Sequence, residues 1–227
     1  MDLFPKIQSI YKRGERGKFL LGQFATPALA YLAGLEWEWT EKVDGTNIRI
    51  GMVGDGDGAL LYQTGGRTER AEIPKHLASA LAALDLADRL HEMACDNDTD
   101  TAQDVVLYGE GYGAKIQKGG GNYREDQSFV LFDVQIGGWW LRRAGVLDVG
   151  AKLGLDVVPI VGRGPLVPQS ITGPPSAEEA AREGFKSAWG DFEAEGLVCR
   201  PTVQLWDRKG DPVVVKLKTK DYRRLES

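Results

Sequence analysis

Lys42 stands two residues before Asp44-Gly45, at the end of an alternating run. Leu35, Trp37, Trp39 and Val43 interleave there with Glu36, Glu38, Thr40 and Lys42. That period of two predicts a strand from Leu35 to Val43 with one apolar and one polar face. Lys42 leaves the polar face just before a tight turn, and Asn47 to Val53 follows as a second strand, with Ile48, Ile50 and Met52 as its apolar side. An amine fixed there can face a ligand or decorate a hairpin, and the stretch alone allows both readings. Near the end of the chain, Lys216 and Lys218 alternate with Val215 and Leu217. They share a strand face, roughly 6.5–7 Å apart. Parallel ammonium groups call for an anion between them, such as a nucleotide phosphate. Lysines that protect an edge strand are the other reading.

Further groups join these lysines. Glu110 lies between Gly109 and Gly111 at a strand end, where a carboxylate can meet a ligand or close a turn. Glu195 opens another strand, Arg67 follows Gly65-Gly66 within reach of an anion, and Phe132 precedes Asp133. Together the set suits lysine attack on a phosphoryl group. A lysine with its ordinary pKa of about 10.4 is neutral in only about one molecule in a few thousand near pH 7. Nearby cations, namely a divalent metal and Lys216/Lys218, favour the neutral amine. Glu110 and Glu195 would hold that metal directly or through water. The metal and the lysine pair would stabilise charge on the transferring phosphate.

The elements that must position these groups are far apart in the chain. Residues 35–64 read as a β-meander, with Gly54-Asp55-Gly56-Asp57-Gly58 as a turn that lacks a calcium loop's later ligands. Pro74 opens a helix carrying Leu77, Leu81, Leu84, Leu90 and Met93, and the polar run Asp96 to Asp100 reads as a solvated loop. Val105–Tyr108, Phe129–Gln135 and Val157–Val161 read as strands, and Arg143–Leu153 as a helix stopped by Gly154. Ile116 to Tyr123 is glycine-rich but is no phosphate loop. Ser176-Ala177-Glu178-Glu179 is a capping box for a helix to about Trp189, and Glu195–Arg200 and Val213–Thr219 close the pattern as strands.

Composition sets the outer limits. The chain has 227 residues, 42% of them hydrophobic, and a net charge of -5, ordinary values for a soluble globular protein. It has no apolar run of membrane-spanning length and no signal peptide. Two cysteines outside any metal-ligand spacing suit a reducing cytosol, and two histidines argue against a histidine metal site or a Ser-His-Asp hydrolase. An acidic whole argues against non-specific coating of nucleic acid. Even so, Lys12, Arg13, Arg16 and Lys18 cluster near the start, and Lys216, Lys218, Lys220, Arg223 and Arg224 near the end. Solvated surface charge and a grip on a few phosphates both fit these clusters.

From about Glu36 to Tyr222 the chain resembles the covalent nucleotidyltransferase superfamily of ATP-dependent polynucleotide ligases and capping enzymes, and most of all the nick-sealing RNA ligases. Lys42-Val43-Asp44-Gly45 matches the first motif, and Thr46-Asn47 its RNA-ligase continuation. Arg67, Tyr108-Gly109-Glu110, the Ile116–Tyr123 stretch, Phe129–Asp133, Glu195–Val198 and Val215–Lys218 follow in the family's order. The resemblance implies an α+β fold: a ligase-type nucleotidyltransferase (adenylation) domain of antiparallel sheets flanked by helices, ATP-grasp-like. One domain is expected over residues 1–227, with 1–34 as an N-terminal segment. Many relatives carry a further domain, and the chain is expected to depart from them in having no C-terminal OB or helical domain.

The resemblance also implies roles. Lys42 would attack the α-phosphate of ATP and carry AMP. Glu41 would lie beside the adenine, and Phe132 would stack on it. Asp44 and Arg67 would contact the ribose and phosphate region, and Asn47 the nucleic-acid ends. Glu110 and Glu195 would bind ribose or Mg2+ (or Mn2+), and Lys216 and Lys218 would hold the α-phosphate. The expected partner is RNA with 5′-phosphate and 3′-hydroxyl ends, with DNA as the alternative. A monomer in the cytoplasm, or in a host's cytoplasm, is expected, with no membrane. A minimal DNA ligase, a GTP-using capping enzyme and a catalytically inactive nucleic-acid-binding relative are the competing readings.

Overall fold

Short strands open the chain: β1 (Gln8–Ser9), β2 (Tyr11–Arg13) and β3 (Phe19–Phe24). Helix α1 (Pro27–Leu32) follows, with Thr26 as its N-cap and Pro27 in its first turn, and then β4 (Trp37–Glu41). A computed structural model describes residues 1–95 and 101–226. The middle of the chain forms β5 (Thr46–Gly54), β6 (Leu60–Gly65), α2 (Lys75–Ala82), α3 (Ala87–Cys95), β7 (Val105–Gly113), β8 (Gln127–Ile136), β9 (Trp139–Trp140) and α4 (Arg143–Leu153). The last part forms β10 (Ile160–Gly164), α5 (Ala177–Glu183), β11 (Gly196–Pro201), β12 (Val215–Lys218) and α6 (Thr219–Glu226).

These elements belong to two compact units. The first unit is Met1–Phe4 with Asp44–Val158, and the second is Pro5–Val43 with the chain from Pro159 onward. Among the described residues, the first unit's sheet runs β6-β5-β7-β8-β9 with antiparallel pairing. One face of it carries Ile48, Ile50, Leu107, Phe129 and Leu131. These pack with Leu77 and Leu81 of α2, Leu90 of α3, and Val146, Val149 and Leu153 of α4. Each such side chain, fully buried, contributes about 1.5–3 kcal/mol.

The second unit's main sheet runs β1-β12-β11-β4-β10, antiparallel except for the β1–β12 pair, and β2 pairs with β3 beside it. Its core joins Trp37, Trp39, Leu197, Cys199, Val215 and Leu217 to Ala177 and Ala181 of α5 and Tyr222 of α6. In β4, burial alternates as the sequence pattern requires: Trp37, Trp39 and Glu41 are buried, while Glu38 and Thr40 are half-buried. The fold is the expected α+β arrangement of antiparallel sheets and helices.

Some local expectations give way. The single helix after Pro74 is two, because the five-residue step from Leu81 to Leu86 falls off one helical stripe. A break with Asp85 at φ +49° lets both leucines reach the core. The Asp96–Asp100 run lies outside the described residues. Helix α5 has its capping box but stops at Glu183, where Gly184 takes φ +81°. The last strand ends at Lys218, and a helix that the sequence pattern did not suggest follows it.

Candidate active site

In the second unit β11 lies between β4 and β12. The Lys42 N–H donates to Gly196 O at 2.9 Å, and the Thr219 N–H donates to Glu195 O at 3.1 Å. These bonds extend the ladder one residue past each strand end, so Glu195 stands with Lys42 on one side and Lys218 on the other. Gly196 adopts φ +152°, and a Cβ there would lie 2.1 Å from Leu217 O, so only glycine follows Glu195 at this spacing.

The side chains meet. Lys42 Nζ donates to Glu195 Oε2 at 2.5 Å, and Lys218 Nζ donates to Glu195 Oε1 at 2.5 Å. The carboxylate is 11% exposed and each lysine 21%. Burial pushes the Glu195 carboxyl up. The charge of Lys42 and the hydrogen bonds from both lysines outweigh it and hold the carboxyl below its ordinary value. As it stands, the cluster is a closed charge clamp. An unpaired Lys42 amine requires that its bond to Glu195 be released. Lys216 lies two residues before Lys218 on the same half-buried face and is paired in register with Val198 and with Ser9 of β1.

Glu41 points the opposite way. It is 1% exposed and accepts from the Ser187 hydroxyl and the Ala188 N–H, each at 2.7 Å. Burial raises its pKa, against the two hydrogen bonds that lower it. Strand alternation already puts position 41 on the tryptophan face, so its direct neighbours are the turn after α5.

In the first unit, Asp44 and Gly45 are held by the glycine-rich stretch. The Asp44 N–H donates to the Tyr123 hydroxyl at 3.2 Å, and Gln117 Nε2 donates to Gly45 O at 2.9 Å. A Cβ on Gly45 would come within 2.3 Å of Gly111 O. Asn47 of β5 lies directly opposite Glu110 of β7, which in turn faces Val130 of β8. Phe132 is the extra residue of a β-bulge, where Leu131 pairs with Gly109 and Asp133 with Tyr108. Its ring meets Phe4 edge-on at 4.9 Å, and Phe4 also packs on Tyr108 at 5.3 Å and Trp140 at 5.5 Å. Phe132 thus shares the face of Asn47, Glu110 and Tyr108, away from the helix-covered core. Arg67 is exposed on the turn after β6.

Arg49 was given no role from sequence. It is 2% exposed, and it donates to Gly66 O at 3.1 Å, Met1 O at 2.7 Å and Glu69 Oε1 at 3.1 Å. It ties the turn that carries Arg67 to the N-terminal strap. Its signal was its place on the polar side of β5, two residues from Asn47.

Among the described residues no three His, Cys, Asp or Glu side chains cluster to hold a metal. Each Glu195 oxygen already accepts from an ammonium, which leaves each a further lone pair. Such a carboxylate fits a metal held through its own water, the way Mg2+ is commonly held, better than a dense all-protein ligand set.

A family model for RNA ligases matches residues 35–218. The chain belongs to the RNA ligase family. Among solved structures it is similar to a Naegleria gruberi RNA ligase mutant with ATP and Mn, at 18% identity and a TM-score of 0.64. That match covers 97% of this chain and 62% of the other. It is similar also to the Naegleria ligase with PPi, at 19% identity and a TM-score of 0.63, covering 97% and 63%. A third structure, a mutant of the same ligase with AMP and Mn, matches at 17% identity and a TM-score of 0.61, covering 98% and 63%. The likeness at this identity is one of fold, a ligase-type nucleotidyltransferase fold. The chain spans about three fifths of these ligases' length. Comparison with curated proteins gave no match. Among the described residues no helix is long and apolar enough to cross a membrane.

Proposed function

We propose that the chain is an ATP-dependent RNA ligase that works through a lysyl-AMP on Lys42, with both units serving one nucleotidyltransferase domain. The observation that supports this best is the clamp of Lys42, Glu195 and Lys218. Lys42, Glu195 and Lys218 lie in the stretches that resemble the family's first, fourth and fifth motifs, and their ion pairs support the reading.

Lys42 Nζ, having given up a proton, forms a bond to the α-phosphorus of ATP. The bridging P–O bond breaks and its electrons leave with pyrophosphate. A second proton leaves the nitrogen, so the product is a phosphoramidate with a neutral nitrogen and one negative charge on its phosphate oxygens. Lys218, released from Glu195, and Lys216 neutralise charge on the α-phosphate. A divalent cation held through water by Glu195 would supply further positive charge there, and Glu110 is the other acid proposed to bind ribose or metal. Phe132 stacks on the adenine. Glu41 serves the adenine side by fixing the turn at Ser187 and Ala188. Asp44 and Arg67 serve the ribose and phosphates, and Asn47 the nucleic-acid ends. An RNA 5′-phosphate oxygen then attacks the phosphoramidate and frees Lys42, and a 3′-hydroxyl displaces AMP to seal the strand. Free Cys95 and Cys199 fit a cytosolic setting, and the protein is taken as a monomer.

Incubation with α-labelled ATP and Mg2+ tests the first step. Label on the parent and none on Lys42→Ala is expected. Equal label on both would overturn the assignment. Sealing of nicked RNA in preference to nicked DNA is expected next, and the reverse preference would make the protein a DNA ligase.

A further inference from the structure

The N-terminal hairpin and helix α6 form one basic surface, and the proposed chemistry leaves it unused. Arg13 of β2 donates to both carboxylate oxygens of Asp221, at 3.1 and 2.6 Å, and so pins the hairpin to α6. Phe19 packs on Tyr222 at 5.4 Å, and the Arg13 guanidinium lies over the Phe19 ring at 4.7 Å. Asp221 is 4% exposed, so the acid within this surface is covered and matched. Lys12, Arg16 and Lys18 remain exposed on the hairpin. Lys220, Arg223 and Arg224 are exposed on α6, spaced to form a single stripe, with Arg223 paired to Glu193. Exposed Glu15 is the opposing charge on the hairpin. Arg16 sits at the hairpin tip with φ +53°, a conformation that costs a non-glycine residue energy and tends to persist at functional positions. The surface is continuous with the clamp: β1 pairs with β12 at Ser9 and Lys216, and α6 begins directly after Lys218.

We propose that this surface is a docking track for the phosphate backbone of RNA, leading out from the α-phosphate lysines along α6 and the β2–β3 hairpin. The proposal rests on the RNA ligase reading for the identity of its partner. A chain with a net charge of -5 does not gather cations on one face by composition alone. The track contacts backbone rather than bases, so it supplies grip and salt dependence without sequence preference.

The test combines Lys12→Gln, Arg16→Gln and Lys18→Gln in one variant and Lys12→Arg, Arg16→Lys and Lys18→Arg in another. Binding of an end-labelled nicked RNA duplex is measured from low to moderate salt, alongside labelling by α-labelled ATP. The neutral triple is expected to bind RNA at least about tenfold more weakly, with a salt slope reduced by about 2 to 3. Its labelling should equal the parent's, and the charge-conserving triple should bind as the parent does. Equal affinity and slope in the parent and the neutral triple would overturn the track, as would a parent that binds acidic lipid vesicles and no RNA. A parent that binds RNA through these cations yet takes no label from ATP would sink the ligase reading and leave the track standing.

Discussion

Lys42 and Lys218 flank Glu195 from opposite sides, each ammonium 2.5 Å from a different carboxylate oxygen. One acid thus bridges two cations that would otherwise repel, and the three groups together keep one positive charge. Glu195→Gln leaves both lysines without their counter-charge. The variant is expected to lose about 1–3 kcal/mol of stability, the range for breaking hydrogen bonds to charged groups at a partly buried site. Urea unfolding of parent and variant at neutral pH measures it.

The same acid sets a pH dependence. Its folded pKa lies below its ordinary value, so in the window beneath the usual carboxylate range the unfolded chain binds more protons. The clamp's stabilisation is therefore full at neutral pH and is lost as pH falls through the folded pKa. The stability gap between parent and Glu195→Gln should narrow on acidification below about pH 4. A gap that widens there would show that Glu195 is not held ionised by the lysines.

Glu41 behaves with the opposite sign. Burial raises its folded pKa, so the folded chain binds more protons just above the ordinary carboxylate range. Its charge costs stability at neutral pH, and that cost disappears as pH falls. Relative to Glu41→Gln, the parent should gain stability between pH 7 and about pH 4.5. Denaturant unfolding across that interval reads the trend.

Phe4 supports Phe132 from the side, at 4.9 Å and edge-on. Phe4→Leu keeps an apolar side chain but removes the ring that fixes Phe132. Lysyl-AMP formation should show a KM for ATP raised roughly three- to tenfold with kcat little changed, the pattern of weakened nucleotide binding. A fall in kcat at constant KM would place Phe4 outside nucleotide binding.

Gly45 has no room for a methyl group beside Gly111 O. Gly45→Ala must shift the turn after Lys42 or the end of β7. It should cost about 1–3 kcal/mol, as overpacking does, and should reduce labelling on Lys42 at least tenfold. Gly121→Ala, where nothing lies within 4 Å, is the control and should do neither.

Strand periods and motif spacing made much of this legible. The alternation through Trp37 and Trp39 correctly predicts β4, and the Gly54–Gly58 turn, the Ser176 capping box and the Gly154 stop all form at their own residues. Groups whose position depends on distant partners were less legible. Glu41 looks polar in sequence, yet its parity puts it under the sheet, and the turn at Ser187 and Ala188, 146 and 147 residues on, explains why it is tolerated. Phe132 breaks alternation through a bulge, and a bulge leaves no period to read. Arg49 depends on Met1, at the other end of a strap that has no pattern. Helix α6 was invisible because Thr219 and Lys220 continue the strand's alternation past the point where the backbone turns.

The clamp also sets an order in time. Lys42 and Glu195 are 153 residues apart in the chain, while Glu195 and Lys218 are only 23 apart. During synthesis Lys42 emerges long before either partner exists, and a contact of such separation is costly to close early in folding. A half-made chain therefore carries Lys42 with neither of its clamp partners, and the clamp closes only once Glu195 and Lys218 have both emerged.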